Sequence, residues 1–215
     1  MLLSRLQELL GSIYDVRIAH DVYDFLVTDR ARLPHQARGG QVEEELLVAQ
    51  PAAGAGELAL SLYLDPALLE RLARHDPLVR LHAGNVADCW TALEGVSHFL
   101  YLAWNAGHDE PVSLLELEMQ AEVDKFVVSY WLLRRQLPGH FPLELRRALF
   151  TRTRLDPRLS TASAAMYREA SRYAAAYCGR LESRLARHDA EVLTELRRFY
   201  RLTNTRKRTH IERGA

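Results

Sequence analysis

Residues 85–133 have the sequence NVADCWTALEGVSHFLYLAWNAGHDEPVSLLELEMQAEVDKFVVSYWLL. In the first half of this stretch apolar residues recur at spacings of three and four, the pattern of a helix with a buried face. Apolar residues also occupy most of the remaining circumference, so we expect this helix inside a bundle with neighbours on several sides. Asn85 is placed to cap its start, and Gly107 is placed to end it.

A second helix is predicted from Ser113 to about Leu137. Ser113 and Glu116 have the spacing of a capping box, and Pro138 follows the end of the pattern. The connection at residues 106–111 is short, so the two helices should form an antiparallel hairpin over about residues 85–137.

Alternation of apolar and polar residues predicts strands before this hairpin. Residues 58–64 alternate most cleanly, and residues 42–50 form a weaker candidate on the other side of a turn at residues 51–56. These two should pair as an antiparallel β-hairpin. Residues 16–29 are rich in aromatic and β-branched types and are predicted as a third strand. So small a sheet needs helices to cover it.

Further helices are predicted before and after the central helical hairpin. One begins at the N-terminus and is stopped by Gly11, and another begins after Asp65. Beyond the hairpin, periodicity predicts a short helix at residues 143–150, a long one at 160–186 and one that starts at Asp189. The predicted fold is α+β and mainly α: a helical bundle around the central hairpin, with a small N-terminal antiparallel β-hairpin or three-stranded sheet.

A length of 215 residues fits a single domain. We expect an N-terminal α/β lobe over residues 1–84, the helical bundle over 85–202 and a flexible basic tail over 203–215. No apolar run approaches the ~20 residues of a membrane span, and residues 1–10 lack the apolar segment of a secretion signal. The chain is therefore predicted to be cytoplasmic, with no membrane partner, and its alanine, leucine and arginine content indicates a bacterial source.

The central hairpin carries two pairs of candidate metal ligands. Glu94 and His98 are four residues apart on the first helix, and Glu118 and Glu122 are four apart on the second, so each pair shares a helical face. Carboxylates and an imidazole on antiparallel helices can hold iron, manganese or zinc. The spacing departs from the Glu-x-x-His motif of helical di-iron proteins, and a solvated or ion-paired polar stripe explains the same residues. A divalent metal is thus an alternative, and the main interpretation includes no cofactor.

The C-terminal part is strongly basic. From Arg134 onward the chain has 19 Lys or Arg and 8 Asp or Glu, a net charge of +11, and the preceding part has 9 and 20, a net charge of −11. The candidate contacts for an anion or nucleic acid are Arg197, Arg198, Arg201, Arg206, Lys207 and Arg208. Such a run can neutralise phosphates, although no zinc-finger, helix-turn-helix or RNA-stacking signature accompanies it. A solvated helix face is the plainer interpretation.

No catalytic motif is present: the chain lacks a phosphate-binding glycine loop, HExxH, CxxC and GxSxG. The two cysteines, Cys89 and Cys178, fall on apolar helical faces and are predicted as buried thiols. The charge division favours a non-catalytic interaction or regulatory protein that binds a protein partner or a second copy of itself, unless the two halves neutralise each other internally. A metal-dependent helical-bundle enzyme and a nucleic-acid-binding protein are the alternatives, and no catalytic residue is predicted.

Overall fold

The computed structural model describes residues 1–33, 42–49, 59–139, 142, 144–151, 159–185 and 189–214. Within them the chain forms eight α-helices and a three-stranded sheet, which confirms the α+β, mainly α fold. Two compact units are present, one of residues 1–9 and 17–110 and the other of residues 10–16 and 111–215. The change from lobe to bundle that we placed at residue 84 therefore falls inside the first unit. None of the described helices combines the length and the apolarity that crossing a membrane requires.

The first unit contains most of helix α1 (Leu2–Tyr14), strands β1 (Leu26–Val27), β2 (Glu44–Ala49) and β3 (Ala59–Leu64), and helices α2 (Pro66–Arg74) and α3 (Val86–Ala106). The strand order is β1-β3-β2. Strand β2 runs antiparallel to β3 with Leu46 opposite Leu62, as the predicted hairpin requires, and β1 runs parallel to β3. The predicted turn at residues 51–56 lies outside the described residues.

Most of the third predicted strand, residues 16–29, is not a strand. Val22–Phe25 form a 3-10 helix, because the Asp21 carboxylate accepts a hydrogen bond from the Tyr23 amide at 2.9 Å and caps the start of the turn. Only Leu26–Val27 remains to pair with β3. A local cap thus outweighs the alternation of apolar residues.

The end of helix α1 and the start of helix α3 differ from the sequence predictions. Helix α1 continues past Gly11 to Tyr14, and the chain turns at Asp15 with a φ of 54°. The Val16 amide then donates to the Gly11 carbonyl at 3.0 Å, the long-range bond of a Schellman turn. Asn85 precedes α3, but its side chain accepts from the His82 amide at 2.9 Å instead of capping the helix.

The second unit contains helices α4 (Leu114–Gln136), α5 (Leu145–Thr151), α6 (Thr161–Leu185), α7 (Asp189–Tyr200) and α8 (Asn204–Arg213). Helix α4 packs along α6, and α7 and α8 pack on α6 as well. Ser113 caps α4 as predicted, accepting from the Glu116 amide at 3.3 Å. Helices α3 and α4 fall in different units, so their antiparallel pairing stays a prediction.

Residues 203–215 were predicted as a flexible tail, but helix α8 occupies residues 204–213. Lys207 and Ile211 are buried on one face of this helix. The segment therefore packs into the unit through one apolar residue and one lysine. Sequence periodicity could not find this face, because a lysine counts as polar.

Helix α3 packs on β2 and β3 at Gly95. A Cβ atom at this position would lie 2.7 Å from Leu62 Cδ1 and 3.0 Å from Glu44 Cγ. Carbon atoms do not approach so closely, so the absence of a side chain at Gly95 allows the helix to contact the sheet.

We predict that Gly95→Val lowers the free energy of unfolding by roughly 1–3 kcal/mol, because Leu62 and Glu44 must move to admit the new side chain. Gly179→Ala is the control. Its new Cβ would meet no atom closer than 3.9 Å, so the gain in helix propensity should raise the free energy of unfolding by roughly 0.5–1 kcal/mol. Urea denaturation followed by circular dichroism measures both. A Gly95→Val variant as stable as the parent would contradict the close packing.

Candidate anion-binding cleft

The four candidate metal ligands are divided between the units. Glu94 and His98 lie on α3 in the first, and Glu118 and Glu122 lie on α4 in the second. His98 is buried, with its Nδ1 atom 3.6 Å from Glu44 Oε1. Glu122 accepts a hydrogen bond from Lys125 at 2.8 Å. One residue of each pair thus has a polar contact within its own unit, and a metal site formed by all four stays a prediction.

The contact between His98 and β2 was not visible in the sequence. Burial raises the pKa of the Glu45 carboxyl, and the adjacent Glu44 raises it further, whereas His98 lowers it. The three consecutive glutamates at residues 43–45, which made the strand at residues 42–50 the weaker candidate, are all partly buried. In the first unit, the carboxyl groups of Glu44 and Glu45 therefore lie close to the buried imidazole of His98.

Both cysteines are buried free thiols, as predicted. Burial raises the pKa of Cys89 to about 12, and the nearby Asp76 and Asp88 add to the rise. Burial likewise raises the pKa of Cys178. Since the thiolate is the reactive form, neither residue is a candidate nucleophile.

Two cations of the C-terminal basic run cap helix α1. Arg201 donates to the carbonyl oxygens of Tyr14 at 2.9 Å and Asp15 at 2.8 Å. Arg197 donates to the Ile13 carbonyl at 3.3 Å. The last carbonyl groups of a helix lack intrahelical partners and carry partial negative charge, so guanidinium groups stabilise them. Both arginines were among the candidate anion contacts predicted from the sequence.

Lys207 lies in the interior of the second unit and takes part in a buried hydrogen-bond network. Its side chain is fully buried, and Nζ donates to Gln120 Oε1 at 2.6 Å. Gln120 Nε2 donates in turn to Asp124 Oδ1 at 2.8 Å, and the Tyr14 hydroxyl donates to the same oxygen. Nζ also lies 5.0 Å from the centroid of the Phe199 ring, where a cation–π interaction is favourable. This network attaches α8 to α4.

Burial lowers the pKa of Lys207 from its ordinary 10.5 to about 7, against the opposing effect of Glu116 and Asp124. Burial raises the pKa of Tyr14, and Asp124 adds to that rise. A fully buried amine cannot contact an external ligand. Lys207 is therefore not a candidate for anion binding.

Arg198 of α7 and Arg206 of α8 line a cleft of about 570 Å³ between their helices. The other lining residues are Leu202, Thr209, His210, Arg213 and Gly214. Within the described part of the chain, the guanidinium groups of Arg198, Arg206 and Arg213 make no hydrogen bond or ion pair, and no carboxylate lines the cleft. An uncompensated cluster of three arginines is suited to bind an anion.

His210 lies at this cleft beside a carboxylate. Its Nε2 atom is 2.5 Å from Glu195 Oε1, and the Tyr177 hydroxyl donates to the same oxygen at 3.4 Å. Arg184 Nη1 lies 3.8 Å from the other Glu195 oxygen. Glu195 thus orients the imidazole ring and is itself partly neutralised.

Arg213 and His210 were not predicted as contacts, because they lie outside the contiguous basic run that ends at Arg208 and no helix was predicted after residue 202. The signal was present: Arg206, His210 and Arg213 follow spacings of four and three, which place them on one helical face.

A connection of only three residues, 201–203, joins α7 to α8, the length found in helix-turn-helix motifs.

Comparison with known proteins gives no match to a protein family, to a curated protein or to a solved structure.

The pKa of Lys207 predicts a pH-dependent stability. Between pH 7 and 10.5 the unfolded chain holds a proton that the folded chain releases, so the free energy of unfolding should rise with pH. The rise contributed by this residue is at most about 1.4 kcal/mol per pH unit, and below pH 7 its contribution is constant. Lys207→Met should remove it, as measured by urea denaturation across this range.

Arg206→Met is the matched control, since it removes a neighbouring cation of α8 that stays charged throughout this pH range. It should leave the pH dependence unchanged. If Lys207→Met and the parent show the same slope, the lysine is not a titrating part of the interior.

Proposed function

We propose that this protein binds nucleic acid through the cleft between α7 and α8. The observation that carries the proposal is that Arg198, Arg206 and Arg213 line a single cleft where, among the described residues, no carboxylate or other acceptor contacts their guanidinium groups. Three guanidinium groups repel one another, so the arrangement favours a ligand that supplies negative charge. A guanidinium group matches the geometry of a phosphate by donating two parallel hydrogen bonds.

The other cations of the basic run have acceptors within the unit. Arg208 donates to the Tyr173 hydroxyl at 3.1 Å and lies 3.7 Å from Glu169. Arg197 and Arg201 cap α1, and Lys207 is buried. The proposed contact set is therefore Arg198 and Arg206 from the predicted run, together with Arg213.

Association with a protein partner or a second copy, which the charge division favours, stays a prediction. Internal pairs reduce its support: Arg146 donates to Glu182 at 2.9 Å, and Arg184 lies 3.8 Å from Glu195. Part of the positive charge counted in the second half is therefore compensated inside the second unit. The metal-dependent enzyme also stays a prediction.

We expect the full chain to bind a fluorescein-labelled oligonucleotide at 50 mM NaCl, measured by fluorescence anisotropy. Arg206→Ala and Arg213→Ala should each weaken binding by roughly fivefold, because each removes one phosphate contact. The slope of log affinity against log salt should become shallower by about 0.7–0.9 for each variant. Point variants are preferable to a deletion of residues 206–215, which would remove Lys207 and Ile211 from the interior.

Arg135→Ala is the matched control, since Arg135 is an exposed arginine of the same unit that does not line the cleft. Its variant should bind as the parent does, with the same salt slope. Equal losses for Arg135→Ala and Arg206→Ala would show that net charge alone attracts the strand. Absence of binding at 50 mM NaCl would refute the proposal.

A further inference from the structure

The cleft carries more positive charge than an internal phosphodiester can balance. Arg198, Arg206 and Arg213 each contribute a permanent charge, and His210 adds an imidazole. An internal phosphodiester carries one negative charge, whereas a phosphate monoester carries about −1.5 to −2 at neutral pH and offers three acceptor oxygens. The charge of the cleft is better matched by the monoester.

His210 is oriented for such a ligand. Glu195 of α7 engages Nε2, so Nδ1 is the ring nitrogen left for a ligand, and it donates to a phosphate oxygen when the ring carries both protons. From α6, the Tyr177 ring lies 6.2 Å from the imidazole centroid and Arg180 donates to the His210 carbonyl at 3.3 Å. A ring held from two helices is a pre-organised contact, which costs little to order on binding.

Arg180 lies beside one end of the cleft. Gly214 forms part of its lining, and a Cβ there would lie 1.9 Å from Arg180 Nη1, so the Arg180 guanidinium occupies the space beside it. Arg180 donates to the Ile211 carbonyl at 2.8 Å and thereby compensates the negative end of α8. With a volume of about 570 Å³, the cleft has room for a terminal nucleotide.

We propose that the cleft binds the terminal phosphate monoester of a nucleic-acid strand, with Arg198, Arg206, Arg213 and His210 as its contacts. This inference rests on the proposed function and specifies which part of the nucleic acid the cleft recognises. The phosphate that the cleft recognises is at the 5′ or the 3′ end of the strand, and the experiment below distinguishes these two positions.

The test compares three internally labelled dT12 strands, with a 5′-phosphate, with a 3′-phosphate and with hydroxyl groups at both ends. We expect one phosphorylated strand to bind the full-length protein about tenfold more tightly than the hydroxyl strand, because it presents a second negative charge and a third oxygen. Thymidine monophosphate should displace that strand at concentrations where thymidine does not. These measurements use the unaltered chain and do not depend on the folding of a variant.

His210→Gln should reduce the preference for the phosphorylated strand over the hydroxyl strand to roughly threefold, because it removes one contact to the terminal phosphate. His75→Gln, which changes an exposed histidine of the first unit, is the control and should keep the full preference. If all three strands bind alike, end recognition is refuted while nucleic-acid binding stands. If none binds, both proposals fall. A His210→Gln variant that loses affinity equally for all strands would remove His210 from the ligand set.

Discussion

The burial of one amine, that of Lys207, determines how helix α8 packs in the second unit. An ammonium group cannot enter a protein interior without acceptors, and Lys207 finds its acceptor in Gln120 and its opposing charges in Glu116 and Asp124. Asp124 in turn accepts a hydrogen bond from the hydroxyl of Tyr14, which lies at the end of α1. Helix α8 therefore has one position on α4 in which this chain of hydrogen bonds is complete. A shift along either helix would leave a buried polar group without its partner, and such a loss costs on the order of 1–3 kcal/mol.

The orientation of the cleft follows from this attachment. Successive residues of a helix are rotated by about 100°, so a side chain next to a buried one can lie at the surface. Lys207 points into the interior, and the adjacent Arg206 is exposed. Arg213, which lies seven residues after Arg206, returns to the same face after about two turns. The network that orders α8 thus also holds two arginines at one cleft without supplying either with a carboxylate.

The sequence was informative where burial repeats regularly and uninformative where it depends on a few distant contacts. The starts of α2 and α4 followed from Asp65 and Ser113, because a capping side chain acts on its own neighbours. Helix α8 was missed because its buried face contains a lysine whose acceptor lies 87 positions away. His98 and Glu44 show the same limit, since a strand and a helix meet there across a contact that no local pattern encodes. For the candidate site, residue type was predictable from the sequence, but the separation of structural from exposed arginines was not.

The arginines of α7 and α8 share one chemistry and differ in what the protein provides for them. Arg197 and Arg201 find oxygen acceptors in the last carbonyl groups of α1, which the Schellman turn at Asp15 leaves accessible. Arg198 lies one residue from Arg197 but lines the cleft, where no protein oxygen within the described residues accepts its hydrogen bonds. A guanidinium group retains five donors whatever its position. The acceptors missing at the cleft are therefore what an external anion would supply, and the phosphate oxygens of a nucleic-acid strand have the matching charge and geometry.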